Sequence, residues 1–145
     1  TKYDVRLVKE SSSLYDYDHK VLNNPYAVSC MLNEIFDMEC LCEEHFVMLA
    51  FNPKLRVVGA FDIHTGTLNS SAVSIRSIFS RAMLCNANSI MVAHNHPSGI
   101  VKPSHEAIII TRRIIEAGEI LDIKLQDHII IGEDDYYSFR NEGLV

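Results

Sequence analysis

Ser89-Ile90-Met91-Val92-Ala93-His94-Asn95-His96-Pro97-Ser98-Gly99 is the stretch on which the fold turns. A short apolar run from Ile90 to Ala93, preceded by the turn-forming residues Asn86 to Asn88, predicts a buried strand over Ser89 to His94. Pro97 and Gly99 then force the chain to turn. In extended backbone residues i and i+2 point the same way, so the imidazoles of His94 and His96 leave the strand end together and can converge on one metal ion.

A catalytic zinc takes three protein ligands and leaves its fourth position to water. Downstream of the turn, Ser104 follows Pro103 as an N-cap, and Ile108, Ile109, Ile114 and Ile115 mark the buried side of a helix from about Ser104 to Ala117. Gly118 stands where a C-terminal cap is expected.

H-N-H-P-S-G, then Pro103-Ser104, then an amphipathic helix ending in Glu116-Ala117-Gly118, resembles the RadC family of JAB/JAMM metalloprotease-like domains. The resemblance covers most of the chain and implies a three-layer α/β domain with a mixed central sheet flanked by helices. It implies zinc-dependent hydrolysis of a peptide or isopeptide-like amide, with His94 and His96 as metal ligands. Seven residues separate His96 from Ser104 and two separate Ser104 from Ala107, which is the family spacing for serine and a carboxylate ligand. Alanine occupies that third ligand position, and a methyl group coordinates nothing.

The family's general base is a glutamate near an early strand, and here Glu43 and Glu44 both precede His45 to Phe51. Glu44, directly before His-Phe, is the residue the resemblance favours. Its implied work is to move a proton from the attacking water to the leaving amine. Ser104 would help stabilise the oxyanion. Asp127 and His128 match a further motif and would stand behind the ligands or make structural hydrogen bonds. A second departure lies at Ser71 to Phe79, where the family commonly carries His-Pro-Arg-Glu. Arg76 alone is kept, with Ser74, Ile75 and Ser77 in the other places.

Plainer readings stand beside these. An H-x-H pair alone is ordinary for structural histidines, and Ser104 needs no substrate to cap a helix. Glu43 and Glu44 can be a solvated pair at a strand edge, and His19, His45 and His64 give no reason to leave a structural reading. Could a neighbour replace the missing carboxylate? On a helix, Glu106 and His105 lie about 100° and 200° around from position 107, so neither points where Ala107 points, and Glu106, one residue away with the longer side chain, is the better candidate to reach in. The resemblance with Ala107 in place implies weakened or absent zinc and impaired hydrolysis. The alternative is an inactive protein-interaction module using the former cleft or the sheet edge.

At 145 residues the chain reads as one domain, with 1–24 an N-terminal strand and loop and 25–145 the core. A net charge of −6 lacks the electrostatic footprint of nucleic-acid binding. Arg112-Arg113, flanked by Glu116 and Glu119, reads as a solvated helix face. This weighs against direct DNA contact despite the family's association with DNA repair. Cys30, Cys40, Cys42 and Cys85 have no C-x-x-C spacing, so reduced and mostly buried thiols are expected, and the lone C-x-C of Cys40 and Cys42 is a weak zinc signal. No apolar run approaches the ~20 residues of a membrane span, and no signal-peptide pattern opens the chain, so the expected setting is cytoplasmic, with a peptide or protein as partner.

The remaining elements follow from pattern. Tyr3 to Val8 alternates as an edge strand, and Glu10 to Lys20 reads as a loop. Asn24-Pro25 opens a helix to about Asp37. His45 to Phe51 and Val57 to Ile63 read as antiparallel strands joined through Asn52-Pro53-Lys54. Val73 to Cys85 has helical spacing. Lys124 to Ile131 is a strand, Gly132 to Asp135 a turn, and Tyr136 to Phe139 a short last strand.

Overall fold

A computed structural model of the chain describes residues 1–12, 22–69 and 71–145. In chain order its elements are α1 (Pro25–Phe36), β1 (His45–Phe51), β2 (Val57–Thr65), α2 (Ile75–Leu84), β3 (Ser89–Asn95), α3 (His105–Leu121), β4 (Lys124–Ile131) and β5 (Tyr136–Ser138). A short 3-10 turn, Met38–Cys40, links α1 to β1.

The strands form one five-stranded mixed sheet in the order β2-β1-β3-β4-β5. β1 is antiparallel to both β2 and β3, β3 runs parallel to β4, and β5 returns antiparallel. Every residue of β3 is buried, as a central strand covered on both faces must be. On one face α1 packs Val28, Met31 and Leu32 against Val47, Leu49, Met91, Ala93 and Ile129. On the other, α2 and α3 bring Ile78, Phe79, Ala82, Ile110 and Ile114 onto Phe46, Met48, Ile90 and Val92. The result is the expected α/β architecture of three layers.

Local chemistry sets the element ends. Asn24 Oδ1 accepts from the amides of Tyr26 and Ala27 at 3.1 and 3.3 Å, capping α1. Asn52 Oδ1 accepts from Lys54 and Arg56 at 2.9 and 3.0 Å, which closes the β1–β2 hairpin. Ser74 caps α2 through the Ser77 amide at 3.3 Å.

Three expectations are corrected. Tyr3 to Val8 is not a strand: residues 1–12 carry no regular structure and are exposed throughout. Alternation alone does not hold a strand without a hydrogen-bonded neighbour. The loop expected over Glu10 to Lys20 falls largely outside the described residues. The second correction concerns Gly118, which is no cap, since α3 continues to Leu121 and Asp122 takes the left-handed position at φ 55°. Gly118 is needed because a Cβ there would collide with the carbonyl oxygen of Ile123. Thirdly, the thiols are not mostly buried: Cys30, Cys40 and Cys42 are exposed and Cys85 is partly so. Three of them sit outside the apolar layers, on α1 and the segment entering β1.

Candidate metal centre

β3 ends where the two histidines emerge. His94 is fully buried, stacked on Phe46 with ring centroids 6.2 Å apart and planes 14° from parallel. Its Nε2 faces Nε2 of His96 at 3.0 Å, and its Nδ1 lies 2.8 Å from Nε2 of His128 on β4. The extended backbone does deliver both rings to one point.

The protons of this cluster can be assigned from the groups at its ends. The Thr111 hydroxyl donates to the Ala107 carbonyl at 2.7 Å, so toward His128 Nδ1, also at 2.7 Å, it can only accept. His128 therefore carries its hydrogen on Nδ1 and accepts at Nε2, which makes His94 Nδ1 the donor there. At the other end His96 Nδ1 lies 2.6 Å from the Ile100 carbonyl, an obligate acceptor, and must donate. In the neutral rings two Nε2 lone pairs are left facing each other. A cation between them would relieve that arrangement.

Burial supports the neutral forms. Desolvation pushes His128 down from 6.5 to about 3, with the nearby His96 ring adding to the effect. Desolvation, then His128 and His96, hold His94 well below its ordinary value. Neutral imidazoles are the form that coordinates metals. Two nitrogens on one tetrahedral zinc lie roughly 3.3 Å apart from bond lengths alone, close to the His94–His96 separation.

The third position does not fit zinc. Ala107 is fully buried in a cluster with Ile130 and Phe139, and Leu68, Val101 and Val145 pack against it. Its surroundings are apolar, with no carboxylate placed to substitute: His105 is exposed, and Glu106 is partly buried one position around the helix. His128 cannot serve, because its Nε2 is committed to the far side of the His94 ring. Among the described residues no group of three or more His, Cys, Asp or Glu side chains is placed to hold a metal ion. Cys40 and Cys42 belong to no such group either.

Glu44 and Glu43 separate by orientation. Glu44 directly precedes β1, whose Phe46 pairs with His94. Its carboxylate accepts the Leu68 amide at 2.7 Å, and Leu68 in turn packs on the Ala107 cluster. Glu43 is exposed. The Ser104 Oγ accepts the Ala107 amide at 3.1 Å, so it caps α3.

Asn95, which the sequence reading passed over, fastens these strands together. Its Oδ1 accepts the His45 amide at 2.7 Å, and its Nδ2 donates to the Glu43 carbonyl at 2.9 Å. Its place between two histidines, on the opposite face, is the signal that could have found it. Thr111, one helical turn beyond Ala107, was missed as well.

Asp127 bonds the His128 backbone amide and not its ring. It accepts from the Ser138 hydroxyl at 2.6 Å and from the amides of His128 and Arg140 at 2.7 and 2.9 Å, clasping β5 onto β4. Burial raises its pKa despite these donors. Arg76 is exposed on the first turn of α2. No helix among the described residues is long and apolar enough to cross a membrane.

Comparison with known proteins places this geometry. Residues 22–144 match the RadC-like JAB domain family. The chain is 37% identical over 141 residues to the UPF0758 protein YsxA of Bacillus subtilis (strain 168), across 97% of this chain and 60% of that protein. It is 43% identical over 129 residues to UPF0758 protein SH1266 of Staphylococcus haemolyticus, across 88% of this chain and 56% of the relative. A UPF0758 protein of Desulforamulus reducens is 46% identical over 109 residues, 75% of this chain and 48% of its own length. The chain thus spans about half the length of the curated relatives it matches.

Proposed function

The chain belongs to the RadC-like JAB domain family, and from that membership we propose a zinc-dependent amide hydrolase scaffold, of the peptidase or isopeptidase kind, whose metal centre is incomplete and whose hydrolysis is impaired. The observation that carries the reading is the pair of Nε2 atoms of His94 and His96, 3.0 Å apart, in a chain whose position 107 is a buried alanine among apolar side chains.

A bound zinc would polarise an amide carbonyl and acidify water. The chain keeps several parts of that apparatus. His128 and Thr111 fix the tautomer of His94 so that its Nε2 lone pair faces outward, the work of groups behind a ligand. Glu44, at the entry to β1 and steadied by the Leu68 amide, is the proton carrier of this reading. The Ser104 oxygen accepts the Ala107 amide, which leaves the hydroxyl hydrogen to donate toward an oxyanion. Loss of even an outer hydrogen-bond partner costs about 10 to 100-fold in metal affinity, and loss of a charged ligand costs at least as much. With two imidazoles and no carboxylate at position 107, the metal-dependent step is weakened in the chain as it stands.

A peptide or protein amide is the substrate class of this reading, and a reducing, cytoplasmic setting suits its exposed free thiols. The test is zinc content in protein purified without chelator. The parent chain should hold well under one equivalent and Ala107→Asp about one. Equal, stoichiometric zinc in both would overturn the impairment.

A further inference from the structure

We infer that Asn95 is the positioning residue for Glu44: its side-chain amide, set between His94 and His96, fastens the backbone on both sides of Glu44 to the end of β3. The inference rests on the reading of Glu44 as proton carrier and adds what fixes that residue to the strand of the histidine pair.

The backbone pairing of β1 with β3 runs up to Phe46 and His94. Past that pair, Asn95 Nδ2 donates to the Glu43 carbonyl at 2.9 Å and Asn95 Oδ1 accepts the His45 amide at 2.7 Å. These are the peptide groups on either side of Glu44. A primary amide carries a donor and an acceptor side by side, so one asparagine makes both of the bonds that a neighbouring strand would make. From the β2 side, the Gly66 amide donates to the Glu44 carbonyl at 2.8 Å. Asn95 is 2% exposed, so its two bonds are shielded from competing water.

The Glu44 carboxylate lies toward the layer of α2 and α3. It accepts the Leu68 amide at 2.7 Å, and Leu68 packs in that layer together with Phe46, on which the His94 ring stacks. Alternation along β3 sends His94 and His96 to one face and Asn95 to the other, so the side chain between the histidines is free to hold Glu44 from behind. Few residues can do this. Aspartate has no donor for the Glu43 carbonyl, and serine offers one oxygen on a shorter stem. A general base must stay within hydrogen-bond reach of the proton it moves, which gives such a clamp its value.

Amide hydrogen exchange and carboxyl carbon spectra of the metal-free 145-residue chain test this. Asn95→Ala should speed exchange of the Leu68 amide by about tenfold or more and shift the Glu44 carboxyl signal, while the ring nitrogens of His94 and His128 keep their shifts. Asn95→Asp keeps the oxygen toward the His45 amide and loses the donor to Glu43. It should leave the His45 amide protected and still open the Leu68 amide, and it carries the test if the alanine variant does not fold. Leu68 exchange unchanged in the folded variants overturns the proposal. So does an equal acceleration of every slow amide, or a movement of the His94 and His128 ring signals, either of which makes Asn95 a general support. Zinc content of Ala107→Asp reads the hydrolase scaffold separately, so each idea can fail alone.

Discussion

The Thr111 hydroxyl lies 2.7 Å from Nδ1 of His128 and 2.7 Å from the Ala107 carbonyl, so one side chain on α3 decides which nitrogen of a buried ring on β4 carries the proton. The hydroxyl accepts from the first and donates to the second. The state of His94 is inherited from this contact.

Thr111→Val keeps the shape and removes the acceptor, leaving a buried N–H unsatisfied at a cost of about 1–3 kcal/mol. Thr111→Ser should keep most of the stability. Denaturant unfolding reads the difference, and nitrogen chemical shifts should show His128 losing its Nδ1–H tautomer in the valine variant alone. Unchanged stability and tautomer in Thr111→Val would remove this link from the proton assignment.

Acid should weaken the metal-free protein earlier than carboxylate protonation alone does. His128 titrates near 3 in the folded chain against 6.5 ordinarily, and His94 is shifted the same way. Between those values the unfolded chain takes up protons that the folded chain refuses, so their stabilising effect is whole above 6.5 and is lost as pH falls. The slope is about 1.4 kcal/mol per pH unit for each imidazole. Unfolding free energies measured with chelator from about pH 7 to about pH 5 check it, and a flat profile contradicts the assigned burial.

Ala107→Asp sets a carboxylate among Leu68, Ile130 and Phe139. Without metal the variant should lose on the order of 3 kcal/mol, the scale of a buried charge left uncompensated. Zinc should then raise its melting temperature well beyond any rise in the parent. A variant as stable as the parent under chelation and indifferent to zinc would mean that position 107 does not face the histidine pair.

The end of α3 gives a sharper packing test. Gly118→Ala forces a methyl into the Ile123 carbonyl and should cost about 1–3 kcal/mol. Asp122→Gly relieves a left-handed residue and should stay within about 1 kcal/mol of the parent. Thermal unfolding of the two variants ranks them, and the reverse order would restore Gly118 as the cap.

What was legible in the sequence followed from local chemistry. The apolar run of β3, the Asn24 and Ser104 caps and the Asn52 turn act within a few residues, so their elements lie where the pattern puts them. Gly118 misled because glycine serves both helix caps and close backbone approaches, and only the placement of Ile123 separates the two. Tyr3 to Val8 has strand periodicity without a strand neighbour, a distinction that no local pattern carries. The resemblance located His94, His96 and position 107. The roles of Asn95 and Thr111 depend on partners far along the chain, joined by packing alone.

The contact between His94 and His128 joins residues 34 positions apart, with the whole of α3 between them. Loop-closure entropy must be met before such a contact returns anything. The imidazole contact therefore reports on folding, since it exists only once β4 lies beside β3. A refolding experiment that follows the histidine ring signals would record the arrival of that seam, and with it the moment at which His94 takes its tautomer from His128.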